Sequence, residues 1–178
     1  LEFRLEARPD TPAAEREQTA ATLDGLFEAR DEEWQTPLLD RMLAQLREDE
    51  YCDGRVACVG FCMGGTLAGR LASRAPGPDG AAVFYGMPPS AEEIKSIVCP
   101  FLGLYGAEDA RVGAAIPAFI EAMVESGKDF EYHIYPGAPH AFFNDTRRSY
   151  RSAAARDAWA RCLSFFARVL APETWSAV

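Results

Sequence analysis

The stretch Arg55-Val56-Ala57-Cys58-Val59-Gly60-Phe61-Cys62-Met63-Gly64-Gly65 decides how the rest of this chain reads. Its first half is a short apolar run, bounded upstream by the turn signal Cys52-Asp53-Gly54. Such a run reads as a β-strand buried on both faces. Its second half is G-x-C-x-G with a further glycine, and it leads into an Ala- and Leu-rich helical segment over 66–73. A nucleophile on a sharp strand-to-helix turn needs glycines around it, because the two elements must approach closely there. The helix N-terminus behind it favours a thiolate and a developing oxyanion through its partial positive charge. Cys62 is therefore a candidate nucleophile. The competing reading is a buried structural cysteine beside a tight turn.

Working outward, further apolar runs predict strands over 81–85, 98–105 and 130–135, besides the one over 55–60. Between and after them lie helical patterns over 114–125, with Gly127 closing the helix, and over 152–170. The last has Ala158, Trp159, Cys162, Phe165, Phe166 and Val169 as its apolar stripe. Upstream, 1–17 reads as loop, and Leu23, Leu26 and Phe27 form a helical stripe. A second helix follows, with Thr36 as N-cap, Pro37 in its first turn, and Leu38, Leu39, Met42, Leu43 and Leu46 on its buried face. Strands that alternate with helices predict an α/β fold, a parallel sheet flanked by helices on both faces, in one domain over 1–178.

Two motifs lie at the carboxyl ends of predicted strands, where functional groups gather in open α/β sheets. Gly106-Ala107-Glu108-Asp109 follows FLGLY, and Asp109 can there fix the tautomer of a histidine. Glu108 is its local competitor, and a solvated loop acid or helix cap is the bland alternative. Gly137-Ala138-Pro139-His140-Ala141-Phe142 follows EYHIYP, and His140 is placed to act as a general base. The other histidine, His133, lies mid-strand and reads as a packed sheet residue.

Composition narrows the partners. The chain has 178 residues, of which 48% are hydrophobic and 25% charged, with a formal net charge of −9. An acidic surface argues against nucleic acid or anionic membrane as the main partner. The five cysteines, Cys52, Cys58, Cys62, Cys99 and Cys162, are odd in number and contain no C-x-x-C pair. They fit neither a disulfide framework nor a zinc site, so a reducing, cytoplasmic setting is expected. No apolar run reaches the roughly 18 residues of a membrane span, and LEFRLEARPD is not a signal peptide.

The strings VACVGFCMGG, YGAEDARV and PGAPHAF, in the order nucleophile, acid, base, resemble the dienelactone hydrolase (carboxymethylenebutenolidase) family of α/β-hydrolases. The resemblance covers roughly residues 10 to 170. It implies Cys62 as nucleophile, Asp109 as orienting acid and His140 as base. It also implies hydrolysis of cyclic enol-lactones and related esters through a thioester, with no cofactor and no metal. The backbone N–H of Met63, the residue after the nucleophile, would hold the oxyanion.

The chain departs from the family pattern in two places. About three strands and a glutamate near the thiol precede the corresponding region in the family, and no counterpart is found before Cys62. An arginine follows the histidine closely in the family, whereas Phe142, Phe143 and Asn144 stand here, with Arg147 and Arg148 further on. The hydrolase thus reads as lacking its N-terminal strands. The 55–60 strand would be left at a sheet edge, to be covered by Leu1, Phe3 and Leu5 folding back as a strand or by a second copy of the chain. Rival expectations are a general carboxylesterase or thioesterase, and a non-catalytic truncated homologue.

Overall fold

In a computed structural model, residues 35–171 are described, together with Pro12 and Ala14. The chain divides into compact units 1–35 and 36–178, and the account below concerns the second, with Gln35 heading its first helix. The expectations for 1–34, including a strand made by Leu1, Phe3 and Leu5, fall outside the described residues apart from Pro12 and Ala14.

The elements are α1 (Gln35–Glu48), β1 (Ala57–Phe61), α2 (Met63–Ala72), β2 (Gly80–Phe84), α3 (Ala91–Lys95), β3 (Phe101–Gly106), α4 (Ala110–Gly113), α5 (Ile116–Glu125), β4 (Phe130–Tyr135) and α6 (Ser152–Val169). The four strands pair in chain order β1-β2-β3-β4, all parallel. Parallel neighbours need a crossover, and stepping one way across the sheet with one hand of crossover puts the crossover helices on one face. Accordingly Ala68 and Ala72 of α2, Ile94 of α3 and Phe119 and Met123 of α5 pack with Ala81, Val83 and Phe101. The alternate strand residues Ala82, Phe84, Leu102 and Leu104 meet Ala158, Cys162 and Phe165 of α6 on the other face. The expected parallel sheet with helices on both faces is what forms, and the four strands fall within a few residues of their predicted spans.

Several boundaries differ, each for a local reason. The helix after the elbow starts at Met63 rather than 66, because the Thr66 N–H already donates to the Cys62 carbonyl at 3.1 Å. Thr36 lies inside α1, which starts at Gln35, so it is not the cap. The helix expected over 114–125 is α5, which starts at Ile116 with Pro117 in its first turn, where its missing N–H costs nothing, and the short α4 before it went unread. Gly127 sits past the end of α5 at φ 60, where it ends the helix as expected. Helix α3 went unread, although Ser90 and Glu93 form a capping box at its start.

The apolar stripe of α1 is mostly not buried: Leu43 is, but Leu38, Met42 and Leu46 are exposed. Polar ties hold this helix instead, Arg47 to Asp79 at 2.8 Å and Asp40 to Arg74 at 2.7 Å. Trp159, read as part of the α6 core stripe, is likewise largely exposed. β1 has no strand on its outer side among the described residues, and Val59 is 39% exposed.

Candidate active site

Cys62 occupies the turn between β1 and α2 with φ 55 and ψ −118, a left-handed conformation that a residue with a Cβ adopts at some cost. Hydrogen bonds hold it there. Its N–H donates to the Phe84 carbonyl at 3.0 Å, and its carbonyl opens the α2 ladder. The turn also needs bare glycine at two points. A Cβ on Gly60 would stand 1.9 Å from the Gly64 oxygen, and one on Gly65 would stand 2.9 Å from the Phe84 oxygen. Gly64 meets nothing within 4 Å. The sequence signature is therefore steric at Gly60 and Gly65.

Asp109 follows β3, and His140 lies in the loop after β4. These strands are neighbours, and their following loops are tied together. The Ala107 N–H donates to the Tyr135 carbonyl at 3.0 Å, and the Glu108 N–H to the Ala138 carbonyl at 3.0 Å. This brings His140 Nδ1 to 2.5 Å from Asp109 Oδ2 and His140 Nε2 to 3.1 Å from Cys62 Sγ. The other Asp109 oxygen accepts the Val112 N–H at 3.3 Å, which caps α4. Asp109 is the one charged side chain fully buried among the described residues, whereas Glu108 is exposed. His133 stays in β4 with its ring 4.4 Å from that of Tyr135.

The electrostatics follow from this contact. The hydrogen bond from His140 is the main cause holding the Cys62 thiol below its ordinary value of 9.0, against the opposing pull of desolvation. The Met63 backbone N–H and the Arg111 charge add smaller contributions in the same direction. The imidazole of His140 is raised above its ordinary 6.5, chiefly by Cys62 and then by Asp109. The other shifted thiols move the opposite way: burial pushes Cys58 up to about 12, and Cys99 and Cys162 up to about 11. Among the described residues no group of His, Cys, Asp or Glu is placed to hold a metal ion. Nor is any of their helices long and apolar enough to cross a membrane.

Two residues at the site escaped the sequence reading. The Tyr85 ring stands edge-on to the His140 ring at 5.3 Å, and Arg111 contributes a positive charge toward Cys62. Tyr85 has φ 42 and Ala141 has φ 59, so with Cys62 all three non-glycine residues at positive φ among those described gather here. Such strain cannot be seen in a sequence, and its clustering is typical of functional sites.

A parallel sheet with a strained residue on a strand–helix elbow, and a histidine reaching it from the loop after the last strand, defines an α/β-hydrolase fold. The chain belongs to the dienelactone hydrolase family, whose model matches residues 7–170. A Saccharolobus solfataricus protein provisionally named a carboxymethylenebutenolidase is 51% identical over 116 residues, which cover 65% of this chain and 45% of that protein. A Bradyrhizobium protein provisionally named a 2-oxo-3-(5-oxofuran-2-ylidene)propanoate lactonase is 32% identical over 173 residues, 90% of this chain and 67% of that one. Among solved structures, a Klebsiella pneumoniae protein provisionally named a dienelactone hydrolase superposes with a TM-score of 0.69 at 29% identity, covering 75% of this chain and 60% of that one. The chain thus spans less than half of the first of these relatives.

Proposed function

We propose that this chain hydrolyses a carboxylic ester or lactone through a thioester on Cys62. The observation that carries the proposal is the unbroken contact from the buried Asp109 through His140 to Cys62. Asp109 would fix the imidazole with its proton on Nδ1 and stabilise the imidazolium once it forms. The Cys62 proton passes to Nε2, and the thiolate attacks the substrate carbonyl carbon, forming a C–S bond. The resulting oxyanion would be held by the backbone N–H of Met63 at the start of α2. The intermediate collapses, the C–O bond to the leaving alkoxide breaks, and Nε2 returns its proton to that oxygen. In a lactone the leaving oxygen stays on the same molecule. Water, deprotonated by His140, then attacks the thioester and releases the carboxylic acid and the free thiol. The provisional names of two relatives support lactones as the substrate class.

The test is to mix the protein with p-nitrophenyl acetate and look for acetyl on the peptide containing Cys62 by mass spectrometry. Acetylation of that peptide together with steady turnover is expected, and both should vanish in Cys62→Ala. Turnover by Cys62→Ala at the wild-type rate would overturn the proposal.

A further inference from the structure

Beside the reacting residues lies an open cavity of about 600 Å³. Its walls are aromatic, with Phe61, Tyr85, Phe143 and Trp159 all facing into it. The cavity adjoins the site through these same residues. Phe61 immediately precedes Cys62, and the Tyr85 ring touches that of His140. The far wall is built by ring contacts: Phe61 to Phe143 at 5.2 Å, then Phe143 to Trp159 at 5.8 Å. Trp159, on α6, is 40% exposed and lines the cavity. Asp145 and Arg156 also line the cavity, one acid and one base, so the wall has no net charge to select an anion. The volume falls within the roughly 300–1,000 Å³ of small-ligand sites.

We infer that this cavity receives an uncharged aromatic acyl group of the substrate, and that Phe143 and Trp159 determine that preference. This rests on the ester-hydrolysing reading above. The acyl half is the appropriate occupant because it stays on Cys62 once the C–O bond breaks, with the alcohol released from an open-chain ester and still attached in a lactone. A pocket beside Cys62 therefore holds it through both acylation and hydrolysis. An offset or edge-on ring contact adds to the area buried, and one such contact is worth roughly a two- to tenfold effect.

The experiment compares kcat/KM for p-nitrophenyl 3-phenylpropanoate and p-nitrophenyl butanoate. The phenyl ester should be preferred. Trp159→Ala should lower the ratio of the two values roughly two- to tenfold per lost ring contact, and Trp159→Phe should restore most of it. An unchanged ratio in Trp159→Ala, or a wild-type preference for the butanoate, would overturn the inference while leaving the hydrolase reading intact. So would a preference for a phenylpropanoate analogue bearing a ring carboxylate. Binding separates the two ideas from the other side. Methyl 3-phenylpropanoate should bind the non-reacting Cys62→Ala protein in equilibrium dialysis and bind more weakly once Trp159→Ala is added. Such binding to a protein whose wild type hydrolyses neither ester would support the cavity assignment and sink the catalytic one. Absence of binding would overturn the cavity assignment.

Discussion

Nε2 of His140 lies 3.1 Å from Sγ of Cys62, and each group moves the other's titration toward the charged form. The thiol falls below 9.0 and the imidazole rises above 6.5. The same cysteine sits at a helix start in a strained turn, whereas Cys58, Cys99 and Cys162 are pushed up by burial. The environment thus separates Cys62 from Cys58, Cys99 and Cys162.

Alkylation should reveal that separation. The thiolate is the reactive form, so a lowered pKa moves the labelling curve to lower pH. With iodoacetamide at neutral pH, Cys62 should label well ahead of Cys58, Cys99 and Cys162, with a midpoint below 9.0. Replacing His140 by Ala removes the main cause of the shift, so the midpoint should move upward. Peptide mass spectrometry across a pH series reads both effects. A midpoint that stays put in His140→Ala would show that the contact does not control the thiol.

The second prediction concerns the two neighbouring acids. Asp109 is buried against Nδ1, while Glu108 is exposed. Asp109→Asn keeps the shape but loses the charge that supports the imidazolium and its tautomer. Loss of the corresponding acid in a serine protease costs about 10⁴ in kcat, so a fall of roughly 10²–10⁴ in ester turnover is expected here. Glu108→Gln should change the rate by less than about twofold, as an exposed loop acid does. The reverse pattern would assign the orienting role to Glu108.

The strands, and the meeting of Cys62, His140 and Asp109 at one end of the sheet, were legible because each depends on local pattern. Apolar runs with Gly at their ends mark β1 to β4, and residues just past such runs must lie at one end of a parallel sheet. The choice of Asp109 over Glu108 was legible only as a preference, because the backbone turn that buries one side chain and exposes the other is a tertiary property. The strain at Tyr85 and Ala141 was not legible at all, since neither residue type signals positive φ. Trp159 misled for a different reason: its spacing fits the core stripe of α6, but its ring stands at the cavity. Periodicity records which face of a helix is apolar, not whether core or ligand covers it.

Packing at the elbow gives the third prediction. A Cβ on Gly60 would overlap the Gly64 carbonyl oxygen, and backbone on backbone cannot be relieved by a rotamer change. Gly60→Ala should therefore cost at least about 3 kcal/mol, at or above the usual range for overpacking. Gly64→Ala meets open space within α2, where Ala is the better helix former by up to about 1 kcal/mol, and should leave stability unchanged or slightly raised. Urea unfolding of the two variants, followed by far-UV circular dichroism, compares them directly. Equal stabilities would mean that the close approach of β1 and α2 is not what fixes the turn.

The last prediction concerns the outer edge of β1. On the far side of this strand the described residues supply no partner, so any strand pairing there comes from outside them. Val59 and Phe61 point to the same face by the period of two, and Val59 is 39% exposed. Natural sheets usually blunt such an edge with charge, proline or a bulge, and Ala57-Cys58-Val59-Gly60-Phe61 carries none of the charges or prolines. We propose that a second copy of this chain covers this side of β1. Light scattering on the 178-residue chain should then give a dimer mass, and Val59→Lys, which places a desolvation cost on the apposed face, should shift it to monomer. Retained far-UV circular dichroism in the variant separates dissociation from unfolding. A wild-type chain that stays monomeric and does not bind a dye for exposed apolar surface would show that the β1 edge is already satisfied within one copy.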